Sequence, residues 1–277
     1  MFWQTSRFQI DLRSPKVMGI VNVTPDSFSD GGHHATTPLA LAHAQRLVEA
    51  GADILDVGGE STRPGAPRVS LEEELARVLP VVQELARWNV PISVDTYKPA
   101  VMQAVLDAGA DIINDVWALR QDGAREVVAA HPQCGVCLMH MHGEPTTMQL
   151  SPMQGRITAE VKRFLVEQTD ALMQRGVARS RIALDPGVGF GKTVAQNFEL
   201  LAEQNQFLDV AQPLLLGWSR KSSLGAVTGC AVDERVVPSV AAALLCVERG
   251  AHVVRVHDVA ETVAALKVWR AALRQSF

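Results

Sequence analysis

Cysteine is scarce in this chain of 277 residues: four in all, at Cys134, Cys137, Cys230 and Cys246. That is no disulfide framework for a chain of this size. Cys134-Gly135-Val136-Cys137 has the C-x-x-C form, but Cys137 falls in an apolar strand pattern and no second pair has zinc spacing. All four are read as reduced structural thiols. An excess of positive charge is also missing. Lys and Arg total 26 against 30 Asp and Glu, a net charge of −4, which argues against a nucleic-acid partner. No apolar run approaches the roughly 20 residues of a membrane span. Residues 2–14 carry Arg7, Asp11 and Arg13 and so lack the apolar stretch of a secretion signal. The expectation is a cytoplasmic protein with neither membrane nor nucleic acid as partner.

Apolar residues are plentiful, at 47%, enough for a large core. Short apolar runs lie at 17–22, 53–57, 92–94, 112–114, 136–139, 182–184, 214–216 and 253–256. Helical patterns separate them at 39–50, 71–88, 100–108, 124–130, 154–175, 195–204, 239–249 and 260–275. Strands that are apolar throughout, alternating with helices, imply parallel pairing with right-handed crossovers. Eight such units in a chain near the usual ~250 residues predict an α/β fold, a single (β/α)8 barrel, over an open doubly wound sheet. Glycine closes the helix at the joints 50–53, 108–111 and 249–252, as a left-handed cap does. No linker or low-complexity tract divides the chain. One domain spanning 1–277 is expected, with residues 1–16, through Trp3, Phe8 and Ile10, forming a short strand that covers the bottom of the barrel.

A barrel of this kind places its active site where strands end. The ends hand over Asn22 and the loop 23–32, then 58–65 with Glu60, Thr62, Arg63 and Pro64. Asp95, Asn114 and Asp115 follow, then Met139-His140-Met141-His142 and Asp185 with the run 186–192. The last two ends give 217–222 and Arg255-Val256-His257-Asp258. Burying Asp95, Asn114, Asp185, Lys221 and Arg255 around one mouth is costly unless they pair or bind something. Carboxylates and an amide suit a flat heterocycle rich in N–H donors. Met139 and Arg255 suit its faces. Arg63, Arg255 and His257, with Asn22, suit a phosphate group and its metal. Asp258 reads better as the cap of the last helix. The run from Gly187 to Thr193 only imitates a phosphate loop, being one residue short. His140 and His142 share a strand face without a third ligand at matching spacing.

Eight segments taken in order resemble the motifs of dihydropteroate synthases: 22–32, 58–65, 94–96, 113–115, 138–141, 184–187, 219–222 and 255–258. The resemblance covers roughly 17–270. It implies that 6-hydroxymethyl-7,8-dihydropterin pyrophosphate is joined to p-aminobenzoate with loss of pyrophosphate. It places the pterin among Asp95, Asn114, Asp185 and Lys221, with Met139, Phe190 and Arg255 on its faces. It gives Asn22 to Mg²⁺ on the pyrophosphate, and Arg63, Arg255 and His257 to the pyrophosphate oxygens. It sets p-aminobenzoate against Phe28, Thr62, Pro64, Lys221 and Ser222, and it implies a homodimer. The excess apolar surface of the helix at 236–249 points to the same dimer. Tyr97, Trp117, Val188 and Trp218 depart from the pattern and are expected to alter the pocket's shape. A methyltetrahydrofolate methyltransferase would not need the loop 62–64 or the run 219–222. A non-catalytic pterin-binding paralogue would have lost Asn22 or the pyrophosphate-holding bases.

Overall fold

The computed structural model describes residues 1–24, 32–62, 65–144 and 147–273. It opens with a hairpin of β1 (Phe2–Gln4) and β2 (Gln9–Asp11). The repeats follow: β3 (Lys16–Asn22) and α1 (Gly32–Glu49), β4 (Ile54–Gly58) and α2 (Leu71–Leu85), β5 (Ile92–Asp95) and α3 (Pro99–Asp107), β6 (Ile112–Asp115) and α4 (Ala124–Ala130). The second half has β7 (Gly135–Met139) and α5 (Thr158–Met173), then β8 (Ile182–Asp185) and α6 (Val194–Ala202). After β9 (Leu215–Leu216) come α7 (Ser222–Thr228) and α8 (Val236–Glu248), and the chain finishes with β10 (Val253–Val256) and α9 (Val259–Leu273).

Strands β3 to β10 form one parallel sheet in the order β8-β7-β6-β5-β4-β3-β10-β9. A parallel bridge between Leu184 and Leu214 joins its two edges, so the sheet closes into the expected (β/α)8 barrel. The glycine joints behave as expected: Gly51, Gly109 and Gly250 have φ of +100°, +102° and +91°, which a side chain would disfavour.

The pleat decides what each strand offers to either side. Val17, Val21, Leu55, Val57, Ile113, Val136, Leu138 and Val254 face outward into the main core. The alternate residues Met18, Ile54, Ile112, Cys137, Ala183, Leu215 and Val253 face inward and form a second cluster. Trp3, Ile10 and Leu12 seal that cluster from below, and Trp3 is wholly buried. Its indole Nε1 donates to the Arg181 carbonyl at 2.9 Å. The N-terminal segment is therefore a hairpin plug, where the sequence reading expects one strand.

Helix α1 begins at Gly32 rather than 39, and α5 at Thr158 rather than 154. Apolar periodicity marks the packed stretch of a helix, and that stretch need not coincide with its hydrogen-bonded ends.

Candidate active site

One pleat step above the apolar floor, the inward face turns polar. The residues two places beyond Ile54, Ile112, Cys137, Ala183 and Val253 are Asp56, Asn114, Met139, Asp185 and Arg255. Asp95 closes β5 on the same face, and Gly58 and Gly217 leave gaps in the ring. A Cβ on Gly58 would stand 3.7 Å from both Asn22 Oδ1 and Asp95 Cβ, so these three exits converge. The barrel thus has a dry floor and a charged mouth, fixed by the two-residue period of each strand.

Arg255 organises one side of the mouth. Its Nε donates to Asp56 Oδ2 at 2.6 Å and its Nη2 to Asp95 Oδ2 at 3.0 Å. Asn114 Nδ2 lies 3.3 and 3.4 Å from the two oxygens of Asp56. Asp95 Oδ1 is buried without a hydrogen-bond partner among the described residues. A buried acceptor left open in this way is a place for an incoming N–H. Burial raises the Asp95 carboxyl to about 7; Arg255 opposes the shift and Asp56 adds to it.

The opposite side is built by the exits of β7, β8 and β9. Burial lifts Asp185 to about 6, held back by the Gly187 N–H and by Lys221, Lys192 and Arg255. The Gly187 bond to Asp185 Oδ1 is 2.7 Å long. The Lys221 ammonium stands 4.2 Å from the centroid of the Phe190 ring, a cation–π contact. Met139 and Phe190 belong to an apolar cluster with Val116, Met141 and Met148, flanked by Tyr97 and Trp117. Anionic, cationic and flat apolar surfaces therefore meet at one opening.

Above this ring, Ser219 Oγ and His257 Nδ1 lie 2.9 Å apart, and the His257 N–H donates to the same hydroxyl at 3.1 Å. Ser222 is exposed at the first position of α7, and Thr62 and Asn22 are half-buried at the rim. Phe28, Arg63 and Pro64 lie outside the described residues. Asp258 precedes α9, and its carbonyl accepts the first helical bond from Thr262 at 3.1 Å. Its carboxylate, however, receives Arg220 at 2.5 and 3.2 Å, so its charge serves an ion pair across two strand exits. Asp115, next to Asn114 and on the outward face of β6, is a turn anchor. It accepts the N–H groups of Trp117 and Leu119 at 2.7 and 2.8 Å, next to the left-handed Ala118 and Leu119.

Two of the departures from the family pattern lie away from the opening. Trp218 and Val188 belong to the main core, where Trp218 packs on Phe198 at 5.2 Å. Trp218 follows the inward Gly217, so the pleat turns it toward the helices. Tyr97 and Trp117 do flank the mouth, packed edge to face at 6.1 Å.

Sequence reasoning missed two residues of consequence. Asp56 was hidden inside an apolar run, although its even spacing from Ile54 marks it as inward. Lys192 was set aside with the false phosphate loop. It is 2% exposed and lies 2.9 Å from His140 Nδ1.

The family model described as "Pterin binding enzyme" matches residues 18–257. The chain belongs to the pterin-binding enzymes. Similar proteins include the dihydropteroate synthase of Neisseria meningitidis serogroup B, 52% identical over 97% of this chain and 96% of the relative. Among solved structures, the Xanthomonas albilineans dihydropteroate synthase with 4-aminobenzoic acid superposes with a TM-score of 0.91 at 52% identity, covering 96% of this chain and 95% of the other. The Burkholderia cenocepacia dihydropteroate synthase complexed with 7,8-dihydropteroate gives 0.89 at 51% identity, over 99% of this chain and 98% of the other. Membership in the pterin-binding enzymes agrees with the resemblance carried by the strand-end segments.

Proposed function

We propose that this pterin-binding enzyme is a transferase that joins 6-hydroxymethyl-7,8-dihydropterin pyrophosphate to p-aminobenzoate, giving 7,8-dihydropteroate and pyrophosphate in folate biosynthesis. The observation that carries the reading is the open, buried Oδ1 of Asp95 in a ring with Asp185, Asn114 and Lys221. The whole chain, capped by residues 1–16, acts as one domain. Its four thiols are free, which suits the reducing cytoplasm.

The pterin's N–H edge meets Asp95 and Asp185, Asn114 supplies an amide, and Lys221 donates to a ring heteroatom. Met139, Phe190 and Arg255 cover the ring. The two carboxylates favour positive charge as it develops on the exocyclic carbon. The carbon–oxygen bond to pyrophosphate breaks, and the neutral aromatic amine supplies its electron pair to that carbon and then sheds a proton. Arg63 and His257 hold the departing pyrophosphate. Toward the pyrophosphate, Arg255, tied to Asp56 and Asp95, contributes field more than direct contact. Thr62, Pro64, Phe28, Lys221 and Ser222 form the amine site, where the first turn of α7 favours a carboxylate.

The described residues hold no cluster of three or more His, Cys, Asp or Glu able to cage a metal. Asn22 offers one neutral oxygen at the rim, which fits a hydrated Mg²⁺ arriving on the substrate's phosphates rather than a resident ion. When bound there, Mg²⁺ supplies charge neutralisation to the pyrophosphate.

The exposed Val237 and Leu245 of α8, with Val268 of α9, support a homodimer through these two helices. Incubation of the pure protein with both substrates, followed by mass spectrometry, should yield dihydropteroate. Binding of the pterin without product would instead favour the non-catalytic paralogue.

A further inference from the structure

Lys192 is sealed from solvent, yet it belongs to none of the substrate contacts described above. Its Nζ lies 2.8 Å from the Gly187 carbonyl, 3.1 Å from that of Phe190 and 3.3 Å from that of His140, besides its 2.9 Å contact with His140 Nδ1. These partners come from two strand exits. His140 follows Met139 at the end of β7. Gly187 and Phe190 bracket the turn after Asp185 at the end of β8. The exits are pressed together: a Cβ on Gly187 would fall 1.8 Å from the His140 carbonyl oxygen. Three carbonyl oxygens and a ring nitrogen converge on one point. A hydrocarbon there would leave the carbonyl and ring nitrogen of His140 without a donor in a dry interior, while the Gly187 and Phe190 carbonyls would keep only the backbone N–H groups of Phe190 and His142, at 3.2 and 3.5 Å.

The other flank of the turn has a second buried anchor. Asn197, on α6 and 2% exposed, accepts the Gly189 N–H at 2.8 Å and donates to Ser223 Oγ, in the first turn of α7, at 2.9 Å. The Lys221 chain lies across this same turn, its Cδ 3.3 Å from where a Gly189 Cβ would be. The carboxylate of Asp185 is held by the N–H of Gly187, whose own carbonyl is held by Lys192. Bonds thus run from Lys192 to Phe190 and, through Gly187, to Asp185, while Asn197 ties the Gly189 stretch that Lys221 lies across to Ser223. Burial, with Lys192 next to it, drops His140 to about 2, so its imidazole is neutral and able to accept. Burial lowers Lys192 itself to about 7, with Asp185 opposing and Lys221 assisting.

We propose that Lys192 and Asn197 are positioning residues for the pterin substrate, clamping the turn Gly187–Phe190 between the exit of β7 and the first turn of α7 before the ligand arrives. The turn is then a finished wall, and binding does not have to order it. The inference rests on the pterin assignment made above.

The test is steady-state kinetics with the dihydropterin pyrophosphate and p-aminobenzoate on wild type, Lys192→Met, Asn197→Leu and Asn197→Asp, each checked for folding by circular dichroism. Lys192→Met should raise the pterin KM at least about tenfold and Asn197→Leu at least about fivefold, as misplacement of a preformed contact does. Asn197→Asp keeps the acceptor for Gly189 and should stay within about twofold of wild type. A residue that only stabilises the fold would lower the melting temperature and leave the pterin KM of the folded fraction alone. Folded Lys192→Met and Asn197→Leu proteins with unchanged pterin KM would overturn the clamp. Should Lys192→Met fail to fold, the contrast between the two Asn197 variants decides by itself. A wild type that does not turn over would overturn the pterin assignment instead, which separates the two failures.

Discussion

Arg255 and Asp56 lie 199 residues apart in sequence, yet Nε and Oδ2 meet at 2.6 Å. The meeting follows from topology. Strands β10 and β4 both flank β3 in the barrel, and the pleat turns both side chains inward at similar height. Asp56 is wholly buried, so removing its charge leaves the Arg255 guanidinium with Asp95 as its one remaining carboxylate among the described residues. Breaking one partner of a buried pair is far more damaging than lacking the pair. Asp56→Asn should fold and lose about 100-fold in kcat/KM for the pterin substrate, equivalent to roughly 2.7 kcal/mol of transition-state binding. Steady-state kinetics would check this; a loss under threefold would mean that Arg255 does not depend on Asp56.

Asp95 supplies a prediction whose sign differs between stability and activity. Burial holds its folded pKa near about 7, against about 4 in the unfolded chain. A raised carboxyl gives stability that is full below the unfolded value and is lost as pH climbs through the folded value. Asp95→Asn stays neutral throughout. The ligand-free variant should therefore gain melting temperature relative to wild type between about pH 5 and pH 8, while its turnover falls at every pH. Calorimetry at several pH values reads the trend. A constant difference in melting temperature would show that Asp95 is ionised normally.

The hairpin plug should matter to the fold and not to the chemistry. Trp3→Ala removes a fully buried indole and its bond to the Arg181 carbonyl. The expected cost is about 3–5 kcal/mol of unfolding free energy, with both KM values unchanged. Denaturant unfolding gives the first number. An altered KM would mean that the floor of the barrel communicates with its mouth.

Much of this was legible in the sequence because of a barrel's regularity. β10 was read to the residue, and β7 lacked only Gly135, because a buried parallel strand reads as a mostly apolar run closed by a polar residue. The same regularity puts Asp95, Asn114, Asp185 and Arg255 at or near strand ends, where the structure gathers them at one mouth. Asp56 was not legible, since it lies one pleat step inside the exit of β4, within an apolar run. Lys192 was not, since a charge buried against backbone carbonyls leaves no periodic mark. Trp218 was placed too near the pocket because its position in the run was weighed without the alternation that turns it toward the helices.

The apolar shoulder of α8 and α9 predicts assembly. Val237 is 77% and Val268 72% exposed, and the account expects them to be covered by a second copy. Light scattering at micromolar concentration should give a dimer, and Val237→Glu with Val268→Glu a monomer. A wild-type monomer would refute the interface.

The central claim is that this mouth transfers a pterin to an amine. The most direct measurement is pyrophosphate release by the purified protein supplied with the dihydropterin pyrophosphate and Mg²⁺, with and without p-aminobenzoate. The account predicts release that depends on both substrates and is lost in Asp185→Asn. Tight pterin binding with no release in the presence of both would contradict it.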